Sequence, residues 1–409
     1  MENYHDPVRH LKYLRQSLSQ DNEAIGFFIS AGCPLSVAMP QKDDWPLIPD
    51  VQNLTIHINK QLIANAKYTL LLAELGKAGK SAQNIEDILS FLRSLLVVSK
   101  GGEVRGLSEC DLLDLESDIC GAIVQKLNVT LPDKETPYHR LCNWIRSIDR
   151  KIAVEIFTTN YDLLLEQALD DLEIPYFDGF VGSRRSFFDL RAVEDNLIPV
   201  HWSRLWKIHG SINWYQEENG NQKKIYRSSE IKNNASHIIY PSHLKYEESR
   251  KMPYLALIDQ LSRFLRKKSA FLILSGYSFN DGHLNDTIVN ALKANPTAMV
   301  LGLMFDRYET TVNVENPTER YPEAYAIAKK LHNLNIWTYD KAIIGTNTGS
   351  WRKSSNNNDD DMDIMRFISR GEKHDGSNEE DDIIKLGDFS EFTNFLKGII
   401  GAEMDVRNG

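Results

Sequence analysis

The chain has 409 residues, 42% of them apolar and 25% charged, with a formal net charge of −10. That is the balance of an ordinary globular protein with a real core, in two or three average domains or one large α/β domain with an insertion, and not of a disordered or fibrous chain. The acidic excess argues against direct nucleic-acid binding, which needs a basic stripe.

Four cysteines, Cys33, Cys110, Cys120 and Cys142, are too few for a disulfide framework. None forms a CxxC pair, so they read as buried free thiols in a reducing cytosol rather than zinc ligands, and no metal is expected. The N-terminal MENYHDPVRHLKYLRQ lacks an apolar core for a signal peptide. No stretch reaches the ~20 apolar residues of a membrane span, so a cytoplasmic protein is expected.

In chain order, a helix is predicted around Asp6 to Leu18, followed by a buried strand over Ala24 to Ile29 that stops at Ser30-Ala31-Gly32-Cys33-Pro34. Pro34, Pro40, Pro46 and Pro49 break the next segment. From Asp50 to Arg150 the periodicity is helical. Asp50 is placed to cap a helix reaching about Leu75, and Ser81, Ser108 and Thr136 stand before further helices. This region reads as a helical subdomain inserted into a sheet domain.

After Lys151, strands and helices alternate. Strands are expected at 152–157, 174–176, 205–208, 270–274, 298–305 and 336–339, with a hairpin over 212–228, a strand at 237–240, and helices at 163–172, 254–267, 282–294 and 320–333. Short apolar strands interleaved with amphipathic helices predict an α/β fold, a Rossmann-like doubly wound parallel sheet. The sheet domain is expected to span 1–345, followed by a polar acidic linker over 346–385 and a C-terminal helix in 386–409 that docks back on the domain.

In such a sheet, ligands bind at the carboxyl ends of the strands, so the residues after each apolar run carry the information. Ser30-Ala31-Gly32 are small enough to let backbone N–H groups approach a phosphate, or to make a plain tight turn. In FTTNYD, Phe157 to Asp162, capping the next helix needs one polar residue, a role that suits Asp162. Asn160 could then offer its amide to ribose hydroxyls or a water. In KIHGSINW, His209 ends a strand and Gly210 opens space beside it. In SGYSFNDGHLN, Ser275 and Gly276 supply small groups for a ribose or phosphate, Asp281 caps the next helix, and His283 and Asn285 sit in its first turn.

Taken together, these segments resemble the sirtuin family. ISAGCPLS is similar to a variant of the sirtuin glycine-alanine-glycine loop, and FTTNYD to the Thr-Gln-Asn-(Ile/Tyr)-Asp segment. KIHGSINW is similar to the Lys-(Leu)-His-Gly segment, and GYSFNDGHLN to a motif of the bacterial sirtuin-like branch. Order and spacing fit over about residues 20–345.

The resemblance implies NAD as the ligand, held in a crevice between the sheet and a small subdomain, with Asn160 and His209 as the main catalytic side chains. It implies nucleotide contacts from Ser30, Ala31, Gly32, Thr159, Asp162, Ser275, Gly276, Tyr277, Ser278 and His283. Ser30 stands where the family usually has glycine. The Asp-Phe-Arg segment and the zinc ribbon of protein-deacetylating sirtuins are absent, with the helical region 50–150 in the ribbon's place.

These departures match the bacterial sirtuin-like proteins of anti-phage defence, which hydrolyse NAD, some of them alongside a HerA-type hexameric ATPase. The expectation is an NAD glycohydrolase that uses NAD as substrate, in a homo-oligomer or under a partner's control. The rivals are a deacylase or ADP-ribosyltransferase using the same cofactor, and a module that senses NAD or ADP-ribose without turnover. A nuclease is disfavoured, because no acidic or histidine cluster has metal-ligand spacing.

Overall fold

A computed structural model describes residues 3–39, 41, 45–219, 222–231, 237–239, 253–310, 317–354, 361–371 and 381–401. Its centre is a ten-stranded sheet. The strands are β1 (Tyr4–His5), β2 (Ile25–Ile29), β3 (Glu155–Thr158), β4 (Tyr176–Phe177) and β5 (Ser203–Lys207). They continue with β6 (Phe271–Ser275), β7 (Met299–Leu303), β8 (Leu334–Trp337), β9 (Lys341–Ile344) and β10 (Asn347–Trp351).

Across the sheet the order is β1-β10-β9-β8-β7-β6-β2-β3-β5-β4. From β8 to β4 every neighbouring pair is parallel. β9 pairs antiparallel with both β8 and β10. This is the doubly wound α/β sheet expected from the alternating pattern.

β2 is buried along its whole length, as a strand with helices on both faces must be. Its pleat sends Phe27 and Ile29 into one core and Phe28 into the other. On the first face Phe27 meets Trp144 edge-on at 5.2 Å. On the second, Phe157 of β3 meets Phe264 at 5.6 Å. β3 itself begins at Glu155, later than the apolar run suggested. The buried Glu155 is satisfied by Trp206 Nε1 at 2.7 Å and Lys267 Nζ at 2.5 Å.

Helix α1 (Pro7–Leu18) precedes β2, and α2 (Val51–Leu62), α3 (Ala66–Lys77), α4 (Ile85–Val98), α5 (Glu109–Leu127) and α6 (Pro137–Ser147) lie between β2 and β3. Capping boxes at Ser108 and Thr136 start α5 and α6 as the sequence indicates. The single helix expected from Asp50 to Leu75 is two, because Asn65 accepts from Lys67 N–H at 2.9 Å and starts a new one. Likewise Asn84, not Ser81, caps α4. Cys33, Cys120 and Cys142 are buried, but Cys110, on the outer side of α5, is exposed.

Beyond β3 come α7 (Leu164–Asp171), α8 (Tyr254–Leu265), α9 (Gly282–Ala294), α10 (Pro322–Ala328) and α11 (Phe389–Ile399). The expected hairpin is the centre of a second, antiparallel sheet, through Gly210–Asn219 and Gln222–Arg227. No helix among the described residues is long and apolar enough to cross a membrane.

The segment read as a linker does not start as one. Asn347–Trp351 is β10, and Ile368–Arg370 pairs with Asp382–Ile384. β10 is polar in sequence because its backbone ladder, not an apolar run, holds it between β9 and β1, and the fully buried Trp351 anchors its end. Residues 355–360 and 372–380 of that segment lie outside the described residues. The C-terminal helix docks as expected: Arg140 donates from Nη2 to Ser390 Oγ at 2.9 Å and from Nε to Thr393 Oγ1 at 3.2 Å.

Candidate active site

The chain leaves β2 for β3 on one side and later returns to place β6 on the other, so the sheet's direction of winding reverses beside β2. Loops at such a reversal splay apart and leave a crevice at the carboxyl ends of the strands. Four strand ends meet there. The sheet side of the crevice is made by Ser30 and Ala31 after β2, Thr159 to Asp162 after β3, His209 after β5, and Tyr277, Ser278, Asn280 and Asp281 after β6. Ile48 and Pro49, just before the helical insertion, and Val51, Leu54, Asn84, Glu86 and Leu127 within it form the facing wall, and the space between is about 250 Å³.

Asn160 is held from two directions. Its N–H donates to Thr158 Oγ1 at 3.0 Å, and its Nδ2 donates to the Ser30 carbonyl at 3.3 Å. Ser30 Oγ and Thr159 Oγ1 are 2.7 Å apart, so the loops after β2 and β3 are stitched together at the crevice floor. His209 is almost wholly buried, and its Nε2 lies 3.3 Å from Asp281 Oδ2. The Tyr161 ring is 6.4 Å from the imidazole, and its hydroxyl donates to Glu86 Oε1 at 3.2 Å. Burial pushes that hydroxyl well above the usual tyrosine range, with the Glu86 charge adding to it, so Tyr161 stays protonated.

Asp162 is not the N-cap of α7 as expected, since Leu163 holds that position without a side-chain bond, but it still braces the first turn. Its Oδ1 accepts from Leu164 N–H at 3.1 Å. Burial raises its carboxyl to about 6, against the opposing pull of the Lys207 charge. The lysine of KIHG is itself buried under the site: Lys207 Nζ donates to the Asp162 main-chain carbonyl and to Glu166 Oε1, the latter at 2.7 Å.

Of the residues expected to touch a nucleotide, Ser30, Ala31, Thr159, Asp162, Tyr277 and Ser278 line the crevice, as do Asn160 and His209. Gly32, Ser275, Gly276 and His283 do not. Gly32 and Gly276 face each other: Gly32 N–H donates to Gly276 O at 3.1 Å, and a Cβ on Gly32 would sit 2.8 Å from Gly276 Cα. Gly276 also has φ +68, where a side chain is strained. Both glycines are therefore fixed by the meeting of two loops. Ser275 is the last residue of β6, and its main-chain carbonyl accepts from Ser30 N–H at 3.0 Å. His283 is exposed on the first turn of α9.

Sequence reasoning missed the insertion's share, Glu86, Asn84 and the apolar wall, because nothing local in NIEDIL marks it as facing a strand end far along the chain. Asp281 was read only as a cap, although a cap uses one carboxylate oxygen and leaves the second to be assigned. Among the described residues no three His, Cys, Asp or Glu side chains converge as metal ligands.

Residues 154–328, from just before β3 to the end of α10, match the family model described as SIR2-like domain. Among solved structures, one chain described as "Structural Basis for the Mechanism and Regulation of Sir2 Enzymes" is similar at 9% identity. The overlap covers 73% of this chain and 85% of that one with a TM-score of 0.32, a likeness too remote to decide fold or chemistry. No curated protein matches.

Proposed function

We propose that this chain is an NAD glycohydrolase that cleaves NAD to nicotinamide and ADP-ribose in the crevice beside β2. The observation that carries the reading is that Asn160 and His209, from the ends of two different strands, line one crevice at a reversal of the sheet. The SIR2-like match over 154–328 supports NAD chemistry in general.

Breaking the nicotinamide–ribose bond builds positive charge at the anomeric carbon, and nicotinamide leaves readily. The site therefore has to orient the ribose, limit water and place one water molecule. Asn160, with its amide fixed by Ser30, positions a ribose hydroxyl or that water. His209 accepts a proton or holds the ribose. The Ser30 and Thr159 hydroxyls lie where the sugar and phosphates would pass. The apolar wall of Ile48, Val51, Leu54 and Leu127 excludes bulk water from the reacting end.

That same wall could hold an acyl chain, which makes acyl-lysine peptides the necessary control for a sirtuin-type deacylase. An unregulated NAD hydrolase would harm its own cell, so turnover is proposed to depend on assembly, as a homo-oligomer or with a HerA-type ATPase, in anti-phage defence. The test is to incubate the purified chain with NAD, alone and with its genomic neighbour, and follow nicotinamide release. Release in the assembled state supports the reading. Release only in the presence of acyl-lysine peptide would replace it with the deacylase.

A further inference from the structure

Asp281 carries a second role that its position as a helix cap does not explain. One oxygen, Oδ1, is occupied by capping, accepting from His283 N–H at 3.1 Å and Leu284 N–H at 3.3 Å. The other, Oδ2, is directed away from the helix and lies 3.3 Å from His209 Nε2, with only 5% of the histidine side chain and 10% of the aspartate side chain exposed.

The loop that presents Asp281 is fixed independently of His209. Tyr277 Oη donates to the Asp281 carbonyl at 3.2 Å and to Asn285 Oδ1 at 2.8 Å, and Asn285 Nδ2 donates to the Phe279 carbonyl at 2.7 Å. A carboxylate held this firmly, with one oxygen committed, can turn the other in only one direction.

We infer that Asp281 is a positioning residue for His209: its Oδ2 accepts from Nε2–H, fixing the ring's rotation and tautomer. Nδ1 is then the ring's accepting atom. When the ring takes up a proton, the imidazolium forms beside a carboxylate already in place. The inference reaches catalysis only through the reading of the crevice as an NAD site; the geometry of the pair stands apart from it.

Among the described residues, Tyr161, Tyr254 and Tyr277 feel the Asp281 charge, and Glu86 and Asp162 share the crevice lining with the pair. The three tyrosine hydroxyls are all pushed up, chiefly by burial, and stay neutral. Asp162, raised to about 6, titrates in the same window as a histidine, so a pH–rate profile alone would mix the two.

Asp281→Asn separates the roles. Asparagine caps a helix as well as aspartate, and its single carbonyl oxygen would remain on the helix N–H groups. Its NH₂ would then face His209, where it donates to Nε2 and favours the opposite tautomer. Long-range ¹H–¹⁵N correlation spectra of histidine-labelled full chain should show His209 protonated on Nε2 in the parent and on Nδ1 in Asp281→Asn, with equal melting temperatures. Nicotinamide release should fall by about 10–100-fold.

The same His209 tautomer in both proteins would overturn the inference, and so would turnover and a pH profile unchanged by Asp281→Asn. If the parent chain releases no nicotinamide, the proposed function fails instead, and the spectra still decide the role of Asp281.

Discussion

Lys207 Nζ lies 2.7 Å from Glu166 Oε1, with only 1% of the lysine side chain and 12% of the glutamate side chain exposed. The pair sits beneath FTTNYD and also ties down the Asp162 carbonyl. A buried pair of this kind is strongly destabilising when only one partner is removed, because the other charge is left without its match. Lys207→Met should therefore lower unfolding free energy by about 3 kcal/mol in urea titrations. The double change Lys207→Met with Glu166→Leu should recover part of that loss. Additive losses in the double variant would mean that the two charges are not coupled.

Asp162 gives the fold a pH dependence with a defined sign. Its carboxyl titrates at about 6 in the folded chain against an ordinary 3.8, raised mainly by burial. Between those values the folded chain holds a proton that the unfolded chain has released. Stability contributed by this group is thus present at pH 4 and lost as the pH rises to 6, to the extent of about 3 kcal/mol. Asp162→Asn keeps an acceptor for Leu164 N–H and removes the titration. Denaturation across pH 4 to 7 should be flatter in this variant, and an unchanged slope would contradict the assignment.

Tyr161 and Glu86 join the strand-end loop to the insertion. Removing the hydroxyl in Tyr161→Phe breaks the hydrogen bond that joins that loop to α4 of the insertion. A hydrogen bond to a carboxylate contributes about 1.5 kcal/mol, so KM for NAD should rise roughly tenfold. Hydrogen exchange around residues 48–54 should quicken in parallel. A variant with parental KM and exchange would show that the wall holds its place without Tyr161.

The C-terminal helix is part of the fold. Phe392 is fully buried and its ring stands 6.1 Å from Phe27 of β2, the strand that leads into Ser30. Phe392→Ala should cost about 4 kcal/mol by leaving a cavity there. Thermal or urea denaturation checks this, and a loss below about 1 kcal/mol would mean that α11 packs only loosely on the sheet.

Which parts of this could be read from the sequence follows from how local their causes are. Asp281 and the capping boxes at Ser108 and Thr136 are set by neighbours within four residues, and they stand where the sequence places them. The parallel strands carry their own apolar runs. β10 does not, because its NTGSW sequence is held by pairing with β9 and β1, which no local pattern encodes. In the site, the four loops were legible as strand ends. At Gly32 and Gly276 small residues serve a close loop contact, which the local sequence does not distinguish from room for a phosphate. Glu86 and Leu127 were invisible because tertiary packing alone brings the insertion over the crevice.

The measurement that tests the central proposal most directly is nicotinamide release from NAD by the assembled chain and by Asn160→Ala and His209→Ala. The account predicts that each substitution lowers turnover by roughly 10²–10⁴ while the melting temperature stays close to that of the parent. Near-parental turnover in Asn160→Ala, accompanied by earlier melting, would contradict it and make Asn160 a turn residue that merely stitches β3 to β2.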